Sequence, residues 1–354
     1  MSPAIPIVDF SPYLSSTANP SDRAAVAQKL VTACRDTGFV YITNHGIPQS
    51  LVDETFSWSR KFFDLNQEEK MKAPHPPGYA VHRGYSWPGL EKVSQVITSH
   101  RSSDDPDIQN KLRQVGDCKE SFEVGSEESK EQPNIWIPED TLPGFRKFTT
   151  EFYWTCNKLA VELIRALSLG LGLPDNDYLM QFHSGHNNQL RLLHYPPIPA
   201  ASLEDQSAAR MPAHTDWGTI TFLFQDECGG LEVQTADGDY VQAEPVEGAI
   251  VMNIGDCLMR WSNDKLKSNM HRVTLPPAED RYTGKDRMTR ARYSIPYFVV
   301  PDETAPIKTL EECITQAKPA HYAPLESYGD YRILRGSVQY ESKRPEPNSI
   351  AAAA

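Results

Sequence analysis

Long apolar runs are missing from this chain: no stretch of its 354 residues approaches the roughly 18 consecutive apolar residues of a membrane span. Excess positive charge is missing too. Lys and Arg number 35 against 47 Asp and Glu, a net −12, which argues against nucleic acid as a partner. The six cysteines (34, 118, 156, 228, 257 and 313) show no metal-site spacing, and a chain of this length needs no disulfide framework, so all six are read as reduced. The first ten residues have neither a basic region nor an apolar one, so no secretory leader is expected. The last six, Ser349 to Ala354, carry no peroxisomal or lipidation signal. The expectation is a cytoplasmic protein without membrane or nucleic-acid partners. No internal repeat is found, which excludes a solenoid. At 39% hydrophobic and 23% charged, the composition is ordinary for a globular chain long enough to bury a large core.

Two kinds of pattern divide the chain. Before residue 186 the periodicity is mostly helical. A short apolar strand covers 5–10. A helix opened by Ser21 and Asp22 runs to about Thr37, with Gly38 ending it, and a buried strand follows at 39–42. A second helix covers about 49–63, and the longest helical pattern spans 142–173, stopped by Gly170 or Gly172. Residues 99–116 are polar and read as an insertion with lid or surface-loop character. From Gln189 onward, short β-type runs at 190–194, 220–224, 231–234, 249–254, 271–275 and 293–300 alternate with Gly, Pro, Asp and Asn, the rhythm of an antiparallel sandwich or barrel. The tail, 310–334, is again partly helical. The expected organisation is a mostly helical region at 1–185, a β core at 186–305 and a helical tail at 306–354, all one structural unit.

The chemistry lies in the β region. His214 and Asp216 are two residues apart and share a face if their segment is extended. His271 lies 55 residues beyond Asp216 and must come from another strand brought alongside. Two imidazoles and a carboxylate form a facial triad that leaves Fe(II) with open positions. Zinc accepts the same residue types and the same count. Arg292 and Ser294 tip the choice. They also share a strand face, and a guanidinium with a hydroxyl grips a carboxylate, a clamp that a zinc hydrolase does not need.

These motifs, with Ile7-Val8-Asp9-Phe10 and the run from Gly38 to Ile47, resemble the 2-oxoglutarate- and Fe(II)-dependent dioxygenase superfamily in its isopenicillin N synthase-like branch. The likeness extends to fungal members such as thymine 7-hydroxylase through the runs 83–93, 119–125, 190–196 and 260–264. The resemblance implies a double-stranded β-helix (jelly roll) with flanking helices. It implies His214, Asp216 and His271 as iron ligands, with Arg292 and Ser294 on the distal carboxylate of 2-oxoglutarate. Tyr195 matches the tyrosine expected to touch that keto acid, although Leu193-His194 stands where many plant-type members have Asn-Tyr.

The expected reaction is oxidation of a small organic substrate by O2, coupled to decarboxylation of 2-oxoglutarate, in fungal secondary metabolism. Hydroxylation is the default outcome, with desaturation or rearrangement as variants. Candidate substrate residues are His82, Arg191, Trp217 and Phe298, with Arg191 meeting a polar or anionic group. His82 stands where thymine 7-hydroxylase-like proteins have an Asn able to pair with a pyrimidine edge, and an imidazole does not reproduce an amide's donor–acceptor pair. Two alternatives stay open: a thymine-type methyl hydroxylase, and an oxidase of the same fold that does not use 2-oxoglutarate. The substrate and the oligomeric state are not legible in the sequence.

Overall fold

The computed structural model describes residues 5–91, 117–204, 208, 210–276, 282–285 and 287–336. The expected insertion at 99–116 lies outside them.

Fourteen strands are described: β1 (Ile7–Asp9), β2 (Phe39–Thr43), β3 (Gly84–Ser86), β4 (Glu120–Val124), β5 (Gln189–Tyr195), β6 (Met211–His214), β7 (Ile220–Gln225), β8 (Leu231–Gln234), β9 (Tyr240–Gln242), β10 (Ala249–Ile254), β11 (His271–Val273), β12 (Tyr282–Thr283), β13 (Met288–Thr289) and β14 (Arg292–Val299). The large sheet has the order β1-β2-β10-β7-β14-β5-β4-β3, and a four-stranded sheet has the order β6-β11-β8-β9. The consecutive strands β5 to β8 alternate between the two sheets, the winding of a jelly roll. All six β runs read from the sequence after Gln189 are strands. β6, β9, β12 and β13 are additional, because two to four residues carry too little alternation to read.

The large sheet is buried on both faces, and its alternation sorts the side chains. From β14, Ile295, Tyr297 and Val299 join the core under the helices, together with Leu190, Leu192, Phe222 and Met252. Arg292, Ser294, Pro296 and Phe298 turn to the other face and line the space between the sheets. That inner face also carries an apolar cluster containing Phe39, Leu193 and Val251 from the large sheet and Leu231, Val233 and Val273 from the small one.

The helices Pro20–Asp36, Gln49–Phe63 and Phe145–Leu171 contribute to the outer core. The first is capped by Asn19, whose Oδ1 accepts from Asp22 N at 2.9 Å. Ser21 sits inside the first turn and donates to the same oxygen at 2.6 Å, so the start falls slightly earlier than expected. Gly38 follows with φ +75°, and a Cβ there would lie 2.5 Å from Lys267 O, so both conformation and space require glycine. Phe145–Leu171 ends at Gly172 in the left-handed conformation, as expected. The tail supplies a helix at Tyr328–Gly336 whose inner side reaches the site described next.

Candidate active site

β6 and β11 pair antiparallel with His271 directly opposite His214. The strand ends at His214, so Asp216 reaches the same point from the first residues of the following loop rather than from the strand face expected of it. The ring centroids of His214 and His271 are 4.2 Å apart. Asp216 Oδ1 lies 3.9 Å from His214 Nε2 and 3.8 Å from His271 Nε2. One ligating atom from each of the three falls within 4.8 Å of the others, the only such His/Cys/Asp/Glu cluster among the described residues.

The neighbours of these groups orient them. His214 Nδ1 pairs with Pro212 O at 2.9 Å and His271 Nδ1 with Asn269 O at 3.3 Å. A carbonyl only accepts, so Nδ1–H donates and each Nε2 keeps its lone pair for the shared point. Asn253, on β10, donates from Nδ2 to Asp216 Oδ2 at 2.7 Å, which leaves Oδ1 facing the imidazoles. Burial and the neighbouring His271 push the His214 imidazolium down to about 3, so His214 is neutral at pH 7. Burial alone would raise the Asp216 carboxyl. His271, His214 and Asn253 outweigh it and hold the group ionised. A donor set of two imidazoles and one carboxylate fits a divalent first-row metal.

A cavity of about 510 Å³, counted to its open mouth, is lined by His214, Asp216 and His271 together with Arg292, Ser294 and Tyr195. Arg292 is 1% exposed. Its Nε donates to Gly229 O at 3.0 Å and its Nη1 to Ser294 Oγ at 3.1 Å, and its carbon lies 4.9 Å from the Tyr195 ring centre. Its Nη2 is buried with no hydrogen-bond partner among the described residues. An orphaned guanidinium donor is costly unless an anion meets it, so a carboxylate fits here.

A second cavity, about 850 Å³ counted to its open mouth, shares Leu193, Met211, His214, Asp216 and Phe298 with the first. All four candidate substrate residues, His82, Arg191, Trp217 and Phe298, line it. Trp217 meets His82 edge-on at 6.0 Å, and the Arg191 guanidinium lies 5.7 Å from the Phe298 ring centre. Burial pushes His82 far below its ordinary value, so it is neutral. Arg191 reaches Glu91 Oε2 and Glu123 Oε1, each at 3.2 Å. Arg332 reaches Glu303 at 2.9 Å and donates to Ala80 O at 2.8 Å. The chamber therefore offers aromatic faces, the carboxamides of Gln132, Asn187 and Gln189, and guanidinium groups that already have carboxylate partners.

Sequence reasoning did not single out Asn253, Asp256, Arg210 or the carboxamides. Asn253 was hidden inside an apolar strand. Arg210 is fully buried and lies 6.0 Å from the Tyr195 ring centre, and its only sequence signal was its place just before β6.

Residues 186–301 match the 2OG-Fe(II) oxygenase superfamily, and residues 5–139 match the non-haem dioxygenase in morphine synthesis N-terminal family. A "Proline hydroxylase buaE" of Petromyces alliaceus is 39% identical over 89% of this chain and 93% of its own length. The "2-oxoglutarate-dependent dioxygenase htyE" of Aspergillus rugulosus is 38% identical over 90% and 94%. Among solved structures, the full-length thymine 7-hydroxylase of Neurospora crassa in complex with alpha-KG and thymine superposes with a TM-score of 0.81, at 34% identity, covering 94% of this chain and 96% of that one. No helix among the described residues is long and apolar enough to cross a membrane. With its jelly roll, its three convergent ligating groups and these relatives, the chain belongs to the 2OG-Fe(II) oxygenase superfamily, as a non-haem dioxygenase that uses Fe(II), 2-oxoglutarate and O2.

Proposed function

We propose that His214, Asp216 and His271 hold the Fe(II), and that Arg292 and Ser294 take the distal carboxylate of 2-oxoglutarate, with Tyr195 lining its course. The observation that carries this reading is the buried, unpartnered Nη2 of Arg292 in the same cavity as the three ligating groups. Bound there, the metal supplies the redox chemistry by which O2 and the keto acid are consumed to give succinate, CO2 and an oxidised substrate. The chain's own share is positional. Asn253 and the two backbone carbonyls fix the ligands, Arg292 orients the keto acid, and the aromatic walls of the larger cavity exclude water.

The larger cavity is the substrate chamber of this reading. Its guanidinium groups are matched by carboxylates and its His82 is neutral, so it suits an uncharged small molecule with ring or amide character and disfavours an anion. In this reading Arg191, paired with Glu91 and Glu123, serves as a wall rather than as the group that meets a polar or anionic part of the substrate. Hydroxylation of such a compound in fungal secondary metabolism, in the cytoplasm, is the favoured setting, and the fungal dioxygenase relatives support it. Thymine is the second reading, supported by the likeness to the thymine complex. The test is succinate formation dependent on Fe(II) and 2-oxoglutarate, with mass spectrometry of a panel of neutral heterocycles and cyclic amides that includes thymine. Succinate formation that survives intact in His271→Ala would overturn the ligand assignment. Preferred turnover of anionic compounds would overturn the chamber assignment.

A further inference from the structure

Asp256 opens the short helix Asp256–Trp261, is 5% exposed, and gathers four side chains from separate parts of the chain. Its Oδ1 accepts from Ser268 Oγ at 2.6 Å, three residues before His271. Its Oδ2 accepts from Tyr331 OH and Arg335 Nη1, both at 2.8 Å, and from Thr215 Oγ1 at 3.3 Å, between His214 and Asp216. Its backbone N–H donates to Asp216 O at 2.8 Å, and the next residue donates to Trp217 O through Sγ at 3.0 Å and to Gly218 O through N, also at 3.0 Å. One carboxylate thus ties the segment bearing His214 and Asp216 to the C-terminal helix Tyr328–Gly336.

That helix has a working side. Tyr328 and Arg332 line the larger cavity, and the Arg335 guanidinium lies 5.5 Å from the Trp217 ring centre. Further tethers are Glu303, which binds Arg332 and accepts from Gly329 N at 2.9 Å, and the carbonyls of Ala80 and Ala305, which accept from Arg332 Nη1 at 2.8 Å and Tyr328 N at 2.9 Å. Glu303 and Arg332 belong to the rim of the wall, whereas Asp256, Tyr331 and Arg335 lie behind it, where Tyr331 and Arg335 are each 2% exposed. Asp256 itself lines neither chamber.

We propose that Asp256 is a positioning residue, which through Arg335 and Tyr331 holds the C-terminal helix closed as a wall of the substrate chamber and sets the placement of Trp217 beside the metal ligands. The proposal rests on the reading of the larger cavity as the substrate chamber. A charge-assisted pair this deeply buried is costly to break, because the surviving partner is left without compensation. Loss of the pair therefore loosens the helix while the Arg292 cavity, which no residue of that helix lines, keeps its own contacts.

The experiment uses the full chain with Fe(II), 2-oxoglutarate, O2 and ascorbate, which supplies the two electrons that a primary substrate would otherwise give, so no primary substrate need be known. In Arg335→Gln, backbone amides of 328–336 should exchange with solvent about tenfold faster than in the parent. KM for 2-oxoglutarate should be unchanged, and succinate formed without primary substrate should rise about threefold as the chamber admits water and O2. Arg335→Lys, which keeps a cation, should restore most of the helix protection. Asp256→Asn should behave like Arg335→Gln, and the arginine variants carry the test if the aspartate variant does not fold. Unchanged exchange in Arg335→Gln, or uncoupled succinate formation that stays level or falls, overturns the proposal. If the chamber assignment itself is wrong, the helix still loosens in Arg335→Gln, but Phe298→Ala leaves the products of the compound panel unaltered.

Discussion

Asn253 donates to Asp216 Oδ2 at 2.7 Å and thereby decides which carboxylate oxygen faces the two imidazoles. Both residues are buried, at 4% and 6% exposure, so no water can take over that bond cheaply. Partners of this kind fix the geometry of a metal ligand and typically contribute about 10–100-fold in affinity. Asn253→Ala should therefore weaken Fe(II) or Mn(II) binding by about that factor, measured by calorimetric titration of the metal-free protein. Affinity equal to the parent would show that Asp216 is held by something else.

The keto-acid end gives a graded prediction. On the proposed assignment, Arg292→Gln removes the charge meant for the carboxylate in a fully buried site, a loss of about 2 kcal/mol or more and hence a KM for 2-oxoglutarate raised about 30-fold or more. Ser294→Ala removes one neutral donor, about 1 kcal/mol, or about fivefold in KM. The two are joined by the 3.1 Å bond from Arg292 to Ser294, so the double variant should fall short of the product of the two effects. Initial-rate measurements of succinate against 2-oxoglutarate check this, and a larger effect from Ser294 than from Arg292 would reverse the assignment.

Much of this site was legible before any coordinates because its parts are local in sequence or repeat at a spacing of two. His214 and Asp216, and Arg292 and Ser294, each announce a shared point; the strand carrying the second pair was read as a β run, whereas β6 is too short to read and Asp216 lies just beyond it. The helix cap at Asn19 was missed by two residues because Ser21 and Asp22 are equally good capping types, and only the geometry picks the first. Asp256 was illegible for a different reason. Its partners lie 12, 41, 75 and 79 residues away, and no local pattern records a carboxylate shared over such distances. Arg191 was visible as a charge, but its carboxylates come from β4 and from residue 91, so its role could not be read from its own strand.

Acid should destabilise the protein through its buried histidines. His183 donates from Nδ1 to Leu179 O at 2.7 Å and pairs through Nε2 with Thr219 Oγ1 at 2.7 Å. Burial pushes it down to about 4, against partial opposition from Leu179 O and Asp302. Above the ordinary histidine value neither folded nor unfolded chain holds this proton, and stability is independent of pH on its account. As pH falls from about 6.5 to about 4, the unfolded chain takes up the proton and the folded chain does not, so up to about 3 kcal/mol of stability is lost in that window. The Tm of the metal-free protein should fall across it, and His183→Gln should fall less steeply. An identical slope in the variant would remove His183 as a contributor.

Arg191 separates a wall from a receptor. It stands between Glu91 and Glu123 at 3.2 Å from each, with Lys119 2.5 Å from Glu91 on the far side, and the side chains of all four are at most 9% exposed. Burial would raise the Glu91 carboxyl, but Arg191 and Lys119 overcome it and keep Glu91 well below the usual carboxylate range. Asp117 Oδ2 also lies 3.7 Å from Lys119, so deleting the guanidinium leaves three buried acidic groups with Lys119 as their one cation in this cluster, and breaking such a pair costs about 3–5 kcal/mol. Arg191→Met should therefore lower the Tm of the whole protein by several degrees, and the loss should shrink at acidic pH, where protonation relieves the stranded carboxyls. An anion receptor would behave otherwise: its removal would leave Tm nearly unchanged and raise only the KM of anionic substrates. Thermal unfolding of Arg191→Met at pH 7.5 and pH 5 distinguishes the two, and an undiminished Tm at both would restore Arg191 to the role of substrate-binding charge.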